Sequence, residues 1–329
     1  MINVGIIGTG KYIPSKRINN SFVAKKTKTS EKWILEKTGI KHRYFAKINE
    51  SCSSMSYMAA RRAIKEAKIN KNEIDYIICC TFTSDYKFPS LASKVSQLLG
   101  IKKAGCFDIM ANCTGFQVGL ALAAEKMCFD KKLKNILVIG ATLQSKFLNW
   151  QSPESSMYFG DGAGASILSR VPKNYGFVGS DLVGNSLAHE DVRLVGGGSK
   201  LTLNESNKKN KQNFFYEMNG IETWKQVVTY QPLVIEKTLK KNNLNINKIK
   251  MFIFHQANLN LINYLIKKLK ISNKLVHNTL HKYGNTADAS LAITLADAKR
   301  KKKLKRGDYI LISGVGAGFV FGCTIFKWY

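Results

Sequence analysis

The chain has 329 residues, 45% of them hydrophobic, and a formal net charge of +29 from 51 basic and 22 acidic side chains. Length and apolar content are enough for a large core, as one big domain or two fused ones. The charge invites a nucleic-acid or membrane-surface protein, but it is nearly all lysine, dispersed and mixed with asparagine, as in Asn207-Lys208-Lys209-Asn210-Lys211.

That pattern describes a solvated surface, so neither a nucleic acid nor a membrane is expected as partner; an acidic partner or a phosphate-bearing ligand is. Lys299-Arg300-Lys301-Lys302-Lys303-Leu304-Lys305-Arg306 is the best support for a basic nucleic-acid-binding protein, yet a helix C-terminus attracts cations in any case. The seven cysteines form no CxxC pair, and no histidine stands at metal spacing. No metal site is expected, and the compartment is expected to be reducing and cytoplasmic. Met1 to Gly8 lacks the basic and apolar regions of a secretory leader and is predicted to be a first strand.

In chain order, strands are predicted at Val4–Gly8, Ile74–Thr81, Ala104–Asp108, Ile136–Ala141, Gly164–Leu168, Lys250–His255, Val276, Tyr309–Ser313 and Val320–Phe326. Helices are predicted at Ser54–Ala67, Ser90–Leu99, Gly115–Cys128, Ile221–Asn242, Asn258–Lys270 and Ala289–Lys302. Short apolar runs alternating with helical stretches signal an α/β fold. The charge-free segment from Tyr309 to Phe326 approaches membrane-spanning length. Its four glycines among β-branched residues predict two buried strands around a glycine turn instead.

The order of parts occurs twice. Ile74 to Cys80 parallels Ile249 to His255, and Asn135 to Gly140 parallels Asp308 to Ser313. Each later strand runs into a glycine-rich turn, Gly160-Asp161-Gly162-Ala163-Gly164 or Gly314-Val315-Gly316-Ala317-Gly318. This weak self-similarity predicts two fused copies of one α/β unit, residues 1–172 and 173–329. Between them, Asn185 to Asn213 is polar and rich in glycine and lysine, as an exposed excursion would be.

Three residues are candidates for chemistry. Cys113 stands at the start of a helix apolar on nearly every face, where the helix dipole favours a thiolate; the competing reading is a buried structural thiol. His255 ends a buried strand, where α/β enzymes place catalytic groups, although a satisfied core histidine fits too. Asn285 follows Tyr283-Gly284, and by itself is equally a turn residue or cap. Gly8-Thr9-Gly10 lacks the third glycine of a dinucleotide fingerprint, Ile13 standing in its place, and Gly160 to Gly164 lacks the lysine of a P-loop.

The ordered set Thr29-Ser30-Glu31-Lys32-Trp33-Ile34 with Thr38-Gly39-Ile40, Phe88-Pro89-Ser90, Asn112-Cys113-Thr114-Gly115-Phe116, Phe159-Gly160-Asp161-Gly162-Ala163-Gly164, His255-Gln256-Ala257-Asn258-Leu259 and Gly284-Asn285-Thr286 resembles the β-ketoacyl-acyl-carrier-protein synthase III family of thiolase-fold condensing enzymes. The resemblance spans essentially the whole chain. It implies a thiolase-like α/β fold of two fused pseudo-symmetric halves in a layered α-β-α-β-α arrangement, and a cytoplasmic homodimer.

The resemblance further implies that Cys113 accepts a primer acyl group from a coenzyme A or acyl-carrier thioester. A malonyl thioester on acyl carrier protein then loses CO2, His255 and Asn285 stabilise its enolate, and the enolate attacks the acyl group. The backbone amides of Cys113 and Ala317 would form the oxyanion hole. Trp33, Lys37, Phe88, Lys225 and Asn258 would bind substrate, and Lys225, Lys267 and Lys268 would dock the carrier protein. No permanently bound cofactor is implied; coenzyme A or phosphopantetheine thioesters enter as substrates.

The resemblance implies arginines beside coenzyme A where Lys37 and Pro153 stand, and a carrier-docking arginine where Asn260 stands. Neither lysine nor proline reproduces an arginine's stacking and bidentate bonding, so coenzyme A binding is expected to be weaker or different, and the primer to come as an unusual acyl-CoA or a carrier thioester. Another activity on the same fold, acyl transfer to an alcohol or amine in secondary metabolism or surface-glycan modification, is distinguished by the absence of malonyl-dependent CO2 release.

Overall fold

The computed structural model describes residues 3–202 and 208–329. The Asn207–Lys211 run therefore begins outside the described residues.

Among the described residues, nine strands form the two main sheets. The first contains β1 (Val4–Tyr12), β2 (Ile74–Cys80), β3 (Gly105–Ile109), β4 (Asn135–Thr142) and β5 (Gly162–Arg170), in the spatial order β1-β5-β4-β2-β3. The second contains β6 (Gly176–Gly184), β7 (Ile249–Phe254), β8 (Tyr309–Gly316) and β9 (Val320–Lys327), in the order β7-β8-β9-β6. In the first sheet β1 runs antiparallel to β5, β5 antiparallel to β4, and β4 and β3 parallel to β2. In the second, β6 is antiparallel to β9, β9 antiparallel to β8, and β8 parallel to β7. Val276, predicted as a strand, makes a single parallel bridge to Phe252 of β7. It occupies the place that β3 fills in the first sheet, so both sheets follow one plan.

Seven longer helices matter for the site: α1 (Glu31–Thr38), α2 (Cys52–Ala67), α3 (Leu91–Leu99), α4 (Gly115–Phe129), α5 (Gly220–Lys241), α6 (Leu259–Lys268) and α7 (Ser290–Arg300). Helices α2 and α3 cover one face of the first sheet, α4 and α7 lie between the sheets, and α5 packs on the far face of the second with α6 against it. The result is a five-layer α-β-α-β-α arrangement. The middle layer explains the composition of α4: Phe116, Leu120, Ala123, Ala124 and Met127 are wholly buried because both of its sides meet a sheet. Gly8 and Gly10 lie inside β1, where a side chain would collide with the backbone of α2. They serve close strand–helix packing.

Tyr309 to Phe326 folds as the antiparallel pair β8 and β9. Among the described residues, no helix is long and apolar enough to cross a membrane. The Asn185–Asn213 excursion is not exposed throughout. Val192 is buried, and Val192–Arg193 pairs with Glu217–Met218, which lays this segment over the cavity described next. Apolar spacing too sparse for a sequence pattern concealed that return.

Candidate active site

A cavity opens between the two halves of the sheet system, and Cys113, His255, Asn258, Asn285 and Ala317 all line it. Each arrives from a different element. Cys113 is the middle residue of a 3-10 turn (Asn112–Thr114) leading into α4. Asn112 adopts φ 48°, a left-handed conformation that asparagine tolerates, and its Nδ2 donates to Ala317 O at 2.9 Å. This bond ties the cysteine turn to the glycine loop after β8. Gly316 lies so close to Ala111 O that a side chain there would clash.

His255 extends β7, its N–H donating to Ser313 O at 2.9 Å. Its Nδ1 lies 2.6 Å from Ser290 Oγ, at the first residue of α7, and Nε2 makes no hydrogen bond among the described residues. Burial lowers its pKa to about 3, so the ring is neutral at physiological pH. Gln256 accepts from the N–H groups of Thr279 and Leu280 at 2.9 and 3.0 Å, which fixes the segment leading towards Asn285.

Asn285 is held by main-chain bonds on both sides. Its N–H donates to Tyr158 O and its carbonyl accepts from Gly160 N–H, each at 2.9 Å. Its Oδ1 accepts from Ala287 N–H at 2.9 Å, leaving the two Nδ2 hydrogens without a protein partner among the described residues. Asn258 caps α6, its Oδ1 accepting from Leu261 N–H at 2.9 Å. The geometry thus offers a thiol, two N–H donors and the end of a glycine loop around one space.

Residues 107–186 match the family model described as 3-oxoacyl-[acyl-carrier-protein (ACP)] synthase III, and residues 239–328 match its C-terminal counterpart. Over 328 residues the chain is 39% identical to the β-ketoacyl-[acyl-carrier-protein] synthase III of Fusobacterium nucleatum, covering 100% of this chain and 99% of that one. The chain belongs to the synthase III family. The enzyme of the same name from Caldanaerobacter subterraneus is 38% identical, with 99% of this chain and 98% of the relative aligned. The crystal structure of 3-oxoacyl-[acyl-carrier-protein] synthase III from Aquifex aeolicus VF5 superposes with a TM-score of 0.91 at 33% identity, covering 99% of this chain and 100% of that one. The layered fold is therefore the thiolase-like fold of this synthase III family.

Other residues singled out from the sequence lie off the cavity wall. Trp33 is partly buried on α1 beside Ile34 and Phe45. Lys37 is exposed, and its carbonyl accepts from Asn260 Nδ2 at 3.2 Å, joining α1 to the start of α6. Lys225 is exposed on α5 and pairs with Glu222 at 2.6 Å, beside Thr223 and Trp224 of the cavity wall. Lys267 and Lys268 are exposed at the end of α6. Phe88 is 86% exposed and does not line the cavity of this single chain.

The thiol differs from the expectation drawn from its helix start. Burial, then the nearby Asp288 charge, push the Cys113 pKa well above the ordinary value, and the cysteine's own N–H offsets only part of this. Low dielectric outweighs the helix end here. Several contributors had no sequence signal: Tyr158, Tyr216 and Trp224 in the wall, and Ser290 behind His255. Ser290 sits in the polar run after Asn285, but only the packing of α7 against β7 brings it to the imidazole.

Proposed function

We propose that the chain catalyses a decarboxylative Claisen condensation in fatty-acid biosynthesis, with Cys113 as the acyl-carrying nucleophile. The sulfur attacks the primer thioester carbonyl, the backbone N–H groups of Cys113 and Ala317 hold the oxyanion, and the carrier thiol leaves. Malonyl-acyl carrier protein then loses CO2. The Nε2–H of His255 and the Nδ2–H of Asn285 donate to the thioester oxygen as its enolate forms, the enolate carbon attacks the Cys113 acyl group, and the sulfur departs. The observation that carries this reading is that the fold occupies one polar atom of each side chain, Nδ1 by Ser290 and Oδ1 by Ala287 N–H. Asn285 is thereby left with Nδ2 donors for the shared cavity, and His255 with an Nε2–H donor in the tautomer whose Nδ1 accepts from Ser290 Oγ–H. A histidine with a pKa of about 3 donates without first becoming charged, as a donor to an enolate should.

The primer is an acyl-CoA or carrier thioester, and no permanently bound cofactor takes part. Trp33, Lys37, Phe88, Lys225 and Asn258 contribute to substrate binding, with Lys225, Lys267 and Lys268 receiving the acidic carrier protein. Lys37 and Pro153 in place of arginine weaken the grip on coenzyme A, while Asn260 takes the place of a carrier-docking arginine. The enzyme works as a cytoplasmic homodimer; exposed Phe88, Phe107 and Met110 near the free edge β3 support an interface there. The chain divides near residue 172 into two copies of one α/β unit, a division supported by the shared strand order of the two sheets.

Intact-mass analysis after incubation with a panel of acyl thioesters tests the nucleophile. One acyl adduct per chain is expected on Cys113, discharged by malonyl-acyl carrier protein with release of CO2. An adduct that persists in Cys113→Ala removes the assignment. Tight acetyl-CoA binding with ordinary turnover counts against the weakened coenzyme A site.

A further inference from the structure

Helices α4 and α7 begin alike. Each is led by a three-residue 3-10 turn, Asn112–Thr114 or Ala287–Ala289, whose first residue has positive φ, 48° at Asn112 and 39° at Ala287. The turns pack against one another in the middle layer. The central residue of one is Cys113; of the other, Asp288.

Asp288 is fully buried. Its Oδ2 accepts from Thr142 Oγ1 at 3.3 Å, while Oδ1 makes no hydrogen bond among the described residues. A dry carboxylate oxygen without a partner is costly, and in a folded protein calls for an explanation. Oδ1 lies 3.6 Å from where a Cβ on Gly115, the first residue of α4, would stand. The carboxyl group therefore faces the positive end of the helix at whose start Cys113 sits. Neither Ala111, just before the turn, nor Thr114 at its end caps that helix end with its side chain.

We propose that Asp288 is a positioning residue for Cys113: its carboxyl group and the thiol share a single negative charge at the facing ends of α4 and α7. Two anions at one buried helix end repel, so only one forms readily. Ionising the thiol then moves the charge without adding one. Thiol plus carboxylate becomes thiolate plus carboxylic acid, with one proton and one charge conserved across the pair. Acylation makes the sulfur a neutral thioester and frees Asp288 to ionise.

The other titratable groups around the pair come from every neighbouring element: Cys80 on β2, Cys52 at the start of α2, His255 after β7, and Tyr158 and Tyr216 across the cavity. Burial raises both thiols and both phenols and lowers His255 to about 3, so all are neutral near pH 7. Asp85 and Asp108 lie farther out, acting on Cys52 and Cys80. Asp288, raised to about 7 by burial with partial offset from its own N–H, Thr142 and Phe82, is the group whose charge changes in the working range.

The inference rests on Cys113 as nucleophile, and thiol alkylation tests it without requiring turnover. Iodoacetamide labelling of Cys113, read by peptide mass spectrometry against pH, is compared in the wild type, Asp288→Asn and Asp288→Ala. Removing the carboxylate is expected to lower the labelling midpoint by at least about one pH unit, a gain in rate of only about twofold at pH 7, where Asp288 is half protonated, that grows towards about tenfold near pH 9. An unchanged midpoint in either folded variant overturns the proposal. So does a wild-type midpoint at or below the ordinary thiol value of about 8.5, a measurement that needs no variant. Failure of the nucleophile assignment shows itself separately, as thioesters that do not load Cys113.

Discussion

At the scale of residues, the hydroxyl of Ser290 stands behind the imidazole of His255 at 2.6 Å, where it orients the ring. The proposed donor role requires Nδ1 to accept from Oγ–H, which leaves the ring proton on Nε2. Ser290→Ala removes a buried bond worth about 1 kcal/mol, so malonyl decarboxylation should slow roughly five- to tenfold. Acyl loading of Cys113, which uses no His255 donor, should stay within about twofold of wild type. Equal losses in both half-reactions, or no loss in decarboxylation, contradict this role for Ser290. Because burial holds the His255 pKa at about 3, the ring stays neutral as pH rises from about 5 to 8, and its titration adds no break to the decarboxylation profile there. A limb with a midpoint near 6.5 that disappears in His255→Gln runs against a neutral donor. The three candidate residues could be singled out from the sequence because motif order survives without coordinates. Ser290 and Asp288 could not, since a serine and an aspartate in a turn before a helix look like caps until packing shows what they face.

At the scale of elements, α5 and α6 form the outer wall of the cavity, α5 through Gly220, Thr223, Trp224 and Val227 and α6 through Leu261. Pro232 inside α5 has no N–H and leaves the carbonyl of Val228 without its helical donor. The hydroxyl of Tyr264 on α6 donates to that carbonyl at 3.3 Å, while its ring meets Trp224 edge-on with centroids 5.9 Å apart. One side chain thus repairs the proline and joins the two helices. Tyr264→Phe keeps the ring contact and loses the bond, so it should cost about 1 kcal/mol of stability, measured by urea unfolding, with a higher KM for carrier thioesters. No change in the unfolding midpoint means that the bond adds nothing. Periodicity located both helices because each has one apolar face, but it could not anticipate the interhelical bond. The return of Val192–Arg193 over the cavity was hidden for the same reason, its partner strand lying at Glu217–Met218.

At the scale of the whole molecule, buried polar groups lock the layers together. Gln117 of α4 donates from Nε2 to Thr324 Oγ1 of β9 at 2.5 Å and to Ser180 Oγ of β6 at 3.0 Å. Asp297 of α7 accepts from Lys11 of β1 at 2.5 Å and lies 2.9 Å from His277 Nε2. Although burial alone would raise the Asp297 pKa, the bonds from His277 and Lys11 hold it well below the usual carboxylate range. The free edge at β3 is the counterpart to this locked interior, since Phe107 on it and Met110 just after it are exposed. For the proposed homodimer, sedimentation should give twice the chain mass, and Phe107→Asp should shift it towards the monomer at micromolar concentration. A wild-type monomer at that concentration refutes the dimer.

By itself the sequence determined the α/β class, the family, and the candidates Cys113, His255 and Asn285. These follow from local apolar periodicity and from motif order, both of which are written along one dimension. Only the tertiary structure decided that Cys113 sits with a raised pKa opposite Asp288, that Ser290 backs His255, and that Phe88 stands clear of the cavity in the single chain. Those facts depend on long-range contacts and on the dielectric each group meets once neighbouring layers close over it.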